Sequence, residues 1–289
     1  MKTPKRIQPL IDEGLIDRVI CELMSGKEAT VYVVRCGEEI RCAKVYKESH
    51  RRHFHQDANY TEGRRIKNGR YARAIKRGSR FGRSTQEEAW QSTEVDMLCR
   101  LANAGVCVPQ PYNFFEGVLI MELISNDRGD IAPRLNDLRM TAEKARMYHQ
   151  ILIRQVVRML CAGVVHGDLS QYNILAGDQG LVIIDLPQAI EAANNSNTRQ
   201  MIKRDMDNLT TYFSHFAPEL AQTDYGSEIW SLYQRGKLHE SVSLTGQMQK
   251  QTEPVNVNKL LEIVGAVLKK EAARQRYKQE RWTSPYSQC

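Results

Sequence analysis

Three polar residues in a fixed order constrain this chain more than any other feature. Asp168 and Asn173 stand in His166-Gly-Asp-Leu-Ser-Gln-Tyr-Asn173, and Asp185 ends the apolar run Leu181-Val-Ile-Ile. Transfer of a phosphoryl group from ATP needs a hydroxyl aimed and relieved of its proton, a magnesium ion across the phosphates, and positive charge facing them. A carboxylate followed by an amide on one loop, with a second carboxylate at the end of a strand, supplies the first two. Asp168 is the candidate base. Asn173 and Asp185 are the candidate ligands for magnesium, with manganese as its substitute. A single such aspartate would be read as a turn cap or a solvated strand end. Three groups in this order, beside apolar runs, outweigh that reading.

The preceding half of the chain offers the positive charge. Lys44, in Cys42-Ala-Lys-Val-Tyr46, falls on an alternating strand and suits the α- and β-phosphates. A buried lysine needs a carboxylate behind it, and Glu87, Glu88 and Glu94 are the candidates on the helix expected over 85–104, opened by a capping box from Thr85 to Glu88. Glu87 and Glu94 fall nearly on one face, about two turns apart, and spacing does not choose between them. Upstream, Ser25-Gly26-Lys27-Glu28-Ala29-Thr30-Val31-Tyr reads as a turn entering a strand. Its backbone N–H groups and the Ser25 hydroxyl can face phosphate oxygens. Met121, Glu122 and Ile124 close the strand from Val118 and form the expected hinge, holding adenine through the backbone.

The expected fold is α+β. Strands and one helix come first, then mostly helices, over 141–162 and 198–216. Residues 1–20 read as a short helical lead-in, Ile40–Tyr46 as a strand, Cys36-Gly-Glu-Glu as a hairpin turn, and 166–175 as a loop. The tail from Thr283 is expected to be disordered. The 289 residues suit one enzyme domain of two lobes.

Charge is concentrated. The net charge is +7, yet residues 51–83 alone hold eleven Lys/Arg against Asp57 and Glu62. Tyr60, Tyr71 and Phe81 lie among those arginines, so this segment is a candidate for RNA or a ribosomal particle, weighed evenly against a solvated loop. The seven scattered cysteines contain no C-x-x-C pair, which fits a reducing compartment and argues against zinc or redox chemistry. Most of them are expected among apolar neighbours. No apolar run approaches the length of a membrane span, and no signal peptide opens the chain. A cytoplasmic protein is expected. No feature sets an oligomeric state or names a protein substrate.

Together, the Ser25–Tyr32 loop, Lys44, Trp90-x-x-x-Glu94, Val108-Pro-Gln-Pro111, His166–Asn173, Ile183-Ile-Asp185-x-x-Gln188 and Arg204-Asp205-x-x-Asn208 resemble the RIO family of atypical serine/threonine kinases and ATPases. The resemblance covers about 18–216. It implies a trimmed kinase-like fold without an activation segment, with an N-lobe over about 18–121 and a C-lobe over about 125–216. A lead-in (1–17) precedes it and a helical extension (217–289) follows. It implies that Lys44 pairs with Glu94 and that Asp168 is catalytic. Asp185 would hold metal and could itself accept the phosphoryl group. It also implies work on the small ribosomal subunit. Gly167 stands where ordinary kinases have an arginine, and Leu186-Pro187 where they have Phe-Gly, which argues against control by activation-loop phosphorylation. Ala217-Pro-Glu219 is read as a chance likeness to A-P-E. Gly167 also suits small-molecule kinases of the aminoglycoside or choline type, which are the runner-up. An RNA- or ribosome-associated assembly ATPase is the third reading.

Overall fold

The computed structural model describes residues 3–47 and 94–247. The basic segment 51–83, Trp90 and the expected capping box lie outside the described residues. So does the second of the two units into which the chain divides, 249–289.

A five-stranded antiparallel sheet in the order β1-β2-β3-β5-β4 forms the first half. Its strands are β1 (Arg18–Ser25), β2 (Ala29–Cys36), β3 (Glu39–Tyr46), β4 (Pro111–Phe115) and β5 (Val118–Glu122). The helical lead-in is shorter than expected: α1 covers only Gln8–Asp12, and Gly14, at φ 71°, turns the chain toward β1. The β2–β3 hairpin turns at Gly37, at φ 60°, as Cys36-Gly-Glu-Glu implied.

Side-chain alternation decides what each face does. Tyr32 and Val34 of β2, Ala43 and Val45 of β3, and Val118 and Ile120 of β5 are buried together with Ile7, Leu10 and Ile16. The α1 region therefore seals one face. Lys44, between Ala43 and Val45, must project to the other face. The register sets it beside Val31 on β2 and Leu119 on β5.

A helix described over 94–103, α2, backs that second face. Beyond β5 the chain is mostly helical: α3 (Ala142–Cys161), α4 (Thr198–Ser214) and α5 (Tyr225–Gln234). Thr141 caps α3 by accepting from the Lys144 N–H. Leu152, Ile153, Val156, Val157 and Leu160 give α3 its buried stripe, which joins Met201, Ile202, Met206, Leu209 and Phe213 of α4 in one core. That core continues through Ala217, Ile229 and Val242. Two small antiparallel strand pairs carry the loop of interest. They are β7 (Ile174–Gly177) with β8 (Gly180–Ile183), and β6 (Val164–Val165) with β9 (Ile190–Glu191). β8 ends at Ile183, two residues before Asp185, and only residues 184–197, which include β9, separate it from α4.

Two expectations are corrected. β1 lies partly inside the stretch read as helical, and Ile174 already begins a strand rather than ending a loop. The cysteines differ too. Cys42 is buried, but Cys21, Cys99, Cys107 and Cys161 are exposed. Among the described residues no helix is long and apolar enough to cross a membrane.

Candidate active site

Lys44 is the centre of a buried charge cluster. Its Nζ donates to Glu94 Oε1 at 2.6 Å and to Asp185 Oδ1 at 3.0 Å. Of the three carboxylates considered, Glu94 is thus the one the fold brings to the lysine; Glu87 and Glu88 lie outside the described residues. The Tyr46 hydroxyl donates to the other oxygen, Glu94 Oε2, at 2.7 Å. Burial works against the charged lysine. The carboxylates of Glu94 and Asp185 overcome it and hold the ammonium well above its ordinary range. Burial raises the Tyr46 hydroxyl, and the negative charge of Glu94 raises it further. Asp185 is crowded enough to lose solvation, which pushes its carboxyl up. The Lys44 charge and hydrogen bond outweigh that and bring it below the usual aspartate value. Its side chain still reaches solvent, at 49% exposure. Asp185 holds a left-handed backbone, φ 66°, uncommon for a residue with a Cβ.

The loop bearing Asp168 and Asn173 is fixed from α4. Asp205, buried, accepts the backbone N–H of Gly167 at 2.8 Å and of Leu169 at 3.0 Å. The Arg204 guanidinium donates to the Gly167 carbonyl, and Asn208 Nδ2 donates to the Leu169 carbonyl at 3.1 Å. Gly167 stands at φ 80°, where a side chain would be strained. Loss of solvent raises the Asp205 carboxyl to about 6 against the pull of His166 and the two N–H donors. Asp168 is left facing outward between these anchors. Partial burial raises its carboxyl, with His166 and Arg204 opposing and the charge of Asp185 adding to the rise. Asn173 Nδ2 donates to the Asp168 carbonyl at 2.9 Å, and the Ile184 N–H donates to the Asn173 carbonyl at 3.0 Å. The asparagine is therefore tied both to the loop and to the strand end that carries Asp185.

The remaining expected residues line the first lobe. Ser25 and Gly26 are exposed at the end of β1, and the Gly26 N–H closes the turn on the Ala29 carbonyl at 2.9 Å. Lys27 is exposed, Glu28 half-buried, and Ala29 buried. Val31 flanks Lys44 through the strand register. Met121 and Glu122 close β5. Ile124 is buried beyond it, and its carbonyl accepts from the Ala132 N–H at 2.9 Å. Gly177 lies so close to the Ile124 side chain that a Cβ there would approach its Cγ2 to 2.8 Å.

The oxygen donors suit a hard cation. Asn173 uses its amide nitrogen as a donor, which leaves its side-chain oxygen to accept, and Asp185 is kept ionised by Lys44. Among the described residues no group of three His, Cys, Asp or Glu could hold a metal by itself. One amide oxygen and one carboxylate fit the donor set that protein sites commonly offer magnesium alongside substrate phosphates.

Sequence reasoning missed three partners. Tyr46 shares Glu94 with Lys44. Lys47 Nζ donates to Ser25 Oγ at 3.0 Å and to the Gly26 carbonyl at 2.5 Å, tying down the turn. Asp205 stands in the Arg204-Asp205-x-x-Asn208 motif, whose sequence alone assigns it no role. Its two backbone partners lie far upstream in the chain, and nothing local announces them.

Residues 30–225 match the model of the RIO domain family. The RIO-type serine/threonine-protein kinase Rio1 of Haloferax volcanii is 31% identical over 212 residues, 72% of this chain and 67% of its own length. The serine/threonine-protein kinase rio1 of Dictyostelium discoideum is 30% identical over 207 residues, and human RIO1 is 28% identical over 206. This chain spans about a third of the length of each of those two eukaryotic relatives. A solved kinase domain overlays on 86% of this chain and 84% of its own with a TM-score of 0.46 and 13% identity, too slight a likeness to bear on the assignment. The matched family model takes in Lys44, Glu94, the His166–Asn173 loop, Asp185 and Asp205, and this chain belongs to the RIO family.

Proposed function

We propose that this protein transfers the γ-phosphoryl group of ATP to serine or threonine hydroxyls of protein, its own included. The observation that carries the reading is the convergence of Lys44 on both Glu94 and Asp185, beside a loop that presents Asp168 and Asn173. Lys44, oriented by Glu94, binds phosphate oxygens. Asp168 receives the hydroxyl proton and aims the oxygen. Asn173 and Asp185 would hold magnesium, which would supply positive charge to offset that of the phosphates. Ser25 to Val31 cover the phosphates, and Met121, Glu122 and Ile124 hold the base. The kinase domain over 18–216 and an extension from 217 belong to the same reading, with 217–247 packed on the helical lobe. The names of the relatives support a protein hydroxyl over a small alcohol as acceptor.

Two variants test the roles. Asp168→Asn keeps its shape but accepts no proton, so it should bind MgATP and lose transfer. Asp185→Asn should lose magnesium-dependent nucleotide binding. Equal effects from both would sink the assignment. Labelling with γ-labelled ATP separates two fates of the phosphoryl group. Label stable to hydroxylamine is a serine or threonine ester. Label released by hydroxylamine is an acyl-phosphate, formed when an Asp185 oxygen attacks the γ-phosphorus and ADP leaves. The charge of segment 51–83 supports RNA as a further partner, to be tested by whether RNA affinity falls with salt and with loss of its arginines.

A further inference from the structure

One cation near the cleft is unaccounted for by these roles. Arg134 follows the hinge and is half-buried. Its backbone forms an isolated bridge with Leu175, two positions beyond Asn173. Its side chain turns the other way, toward the first lobe, and Nη2 lies 2.7 Å from the Met24 thioether, beside Ser25 and Gly26 of the phosphate-facing turn. It is also close enough to Asp185 to help lower that carboxyl. Arg134 is thus bounded by the phosphate turn, the strand after Asn173, and the carboxylate expected at the metal.

Its partner is a poor one. A thioether is a weak acceptor, whereas a guanidinium carries five donors suited to carboxylate or phosphate oxygens. Among the described residues no carboxylate pairs with Arg134. An always-charged group held part-buried beside a weak acceptor is a donor set waiting for an oxyanion.

We propose that Arg134 is a further nucleotide-binding residue, which gives up Met24 to donate to the phosphate chain of the bound nucleoside triphosphate. It joins the helical lobe to the phosphates from beside Met24, which the sheet register places two strands from Lys44. Because it is anchored next to β7 and reaches β1, it also draws the two lobes together when nucleotide is present. The inference rests on the phosphotransferase reading above.

The test is titration of the whole chain with MgATP and, separately, with adenosine, which lacks phosphates. Arg134→Met keeps the aliphatic bulk and removes the donors. It should weaken MgATP about tenfold, the scale of one charge-assisted hydrogen bond, and leave adenosine unchanged. KM for ATP should rise by the same factor, and Arg134→Lys should restore part of the loss. Unchanged MgATP affinity overturns the proposal. So does an equal loss for adenosine, which would mean that Arg134 only shapes the cleft. Asp185→Asn, a change at a half-exposed side chain, separates the two levels. If it weakens MgATP while Arg134→Met does not, only the role of Arg134 falls. If the wild-type chain binds no MgATP, the site reading falls with it.

Discussion

Asp205 accepts the backbone N–H of Gly167 at 2.8 Å, and through that contact a residue on α4 sets the position of the neighbouring Asp168. The second bond, from Leu169, brackets Asp168 on its other side. Asp205→Asn offers one oxygen to two donors and turns an amide N–H toward them. It should lower kcat by about a hundredfold through misplacement of Asp168 and destabilise the fold by about 1–3 kcal/mol. MgATP affinity should stay near wild type. Steady-state kinetics and thermal denaturation of the same variant check both parts, and a loss confined to affinity would refute the positioning role.

The Lys44–Glu94 pair is deeply buried, with side-chain exposures of 11% and 6%. Removing one partner of such a pair strands a charge and costs about 3–5 kcal/mol, while removing both is far milder. Lys44→Met and Glu94→Leu should each be strongly destabilised, and the double variant by clearly less than their sum. Tyr46→Phe, which removes one hydrogen bond to Glu94, should cost about 1 kcal/mol. Chemical denaturation of the four proteins is the check; simple additivity would mean the pair is not coupled.

Proton acceptance by Asp168 requires its ionised form, and burial raises its carboxyl above 3.8. Activity should therefore disappear on acidification sooner than an ordinary aspartate would dictate. A plot of log kcat/KM against pH should climb through a value above 3.8 and level off toward neutrality. Asp185 shifts the opposite way and stays ionised across that range. An acidic limb at or below 3.8 would contradict the burial of Asp168.

His149 lies fully buried between α3 and α4, its Nε2 3.3 Å from Thr210 Oγ1 and its ring against Phe213 and Tyr225. Loss of solvent lowers it to about 4 from 6.5. The folded chain thus resists protonation that the unfolded chain accepts. The associated stability is present above pH 6.5 and is lost as pH falls toward 4, by up to about 3 kcal/mol. His149→Phe, which keeps the ring packing, should flatten this part of the stability profile relative to wild type. Identical profiles would rule the histidine out as its source.

How much of this was legible depended on the distance over which each relationship acts. Asp168, Asn173 and Asp185 could be read because their order and apolar flanks are local. Lys44 could be read because alternation on β3 forces it away from Ala43 and Val45. Spacing could not choose Glu94, since that depends on how α2 is set against the sheet; only the family resemblance singled it out. β1 escaped notice because it is a largely exposed edge strand with bulges after Val19 and Glu22, so burial imposes no alternation on Arg18–Ser25. Arg134 left no trace in spacing or composition; only the approach of the hinge region to Met24 singles it out.

The left-handed backbone of Asp185 has an evolutionary reading. An L-residue there carries a conformational cost of about 1–2 kcal/mol that glycine would not, and this chain keeps the carboxylate regardless. Asp185→Gly would relieve that cost but would leave the buried Lys44 with Glu94 alone, so the strain is offset by the same ion pair that the site uses. Thermal survival of variants at position 185 therefore reports two opposed contributions and says nothing of turnover, so libraries of this chain have to be sorted by activity as well as by heat resistance.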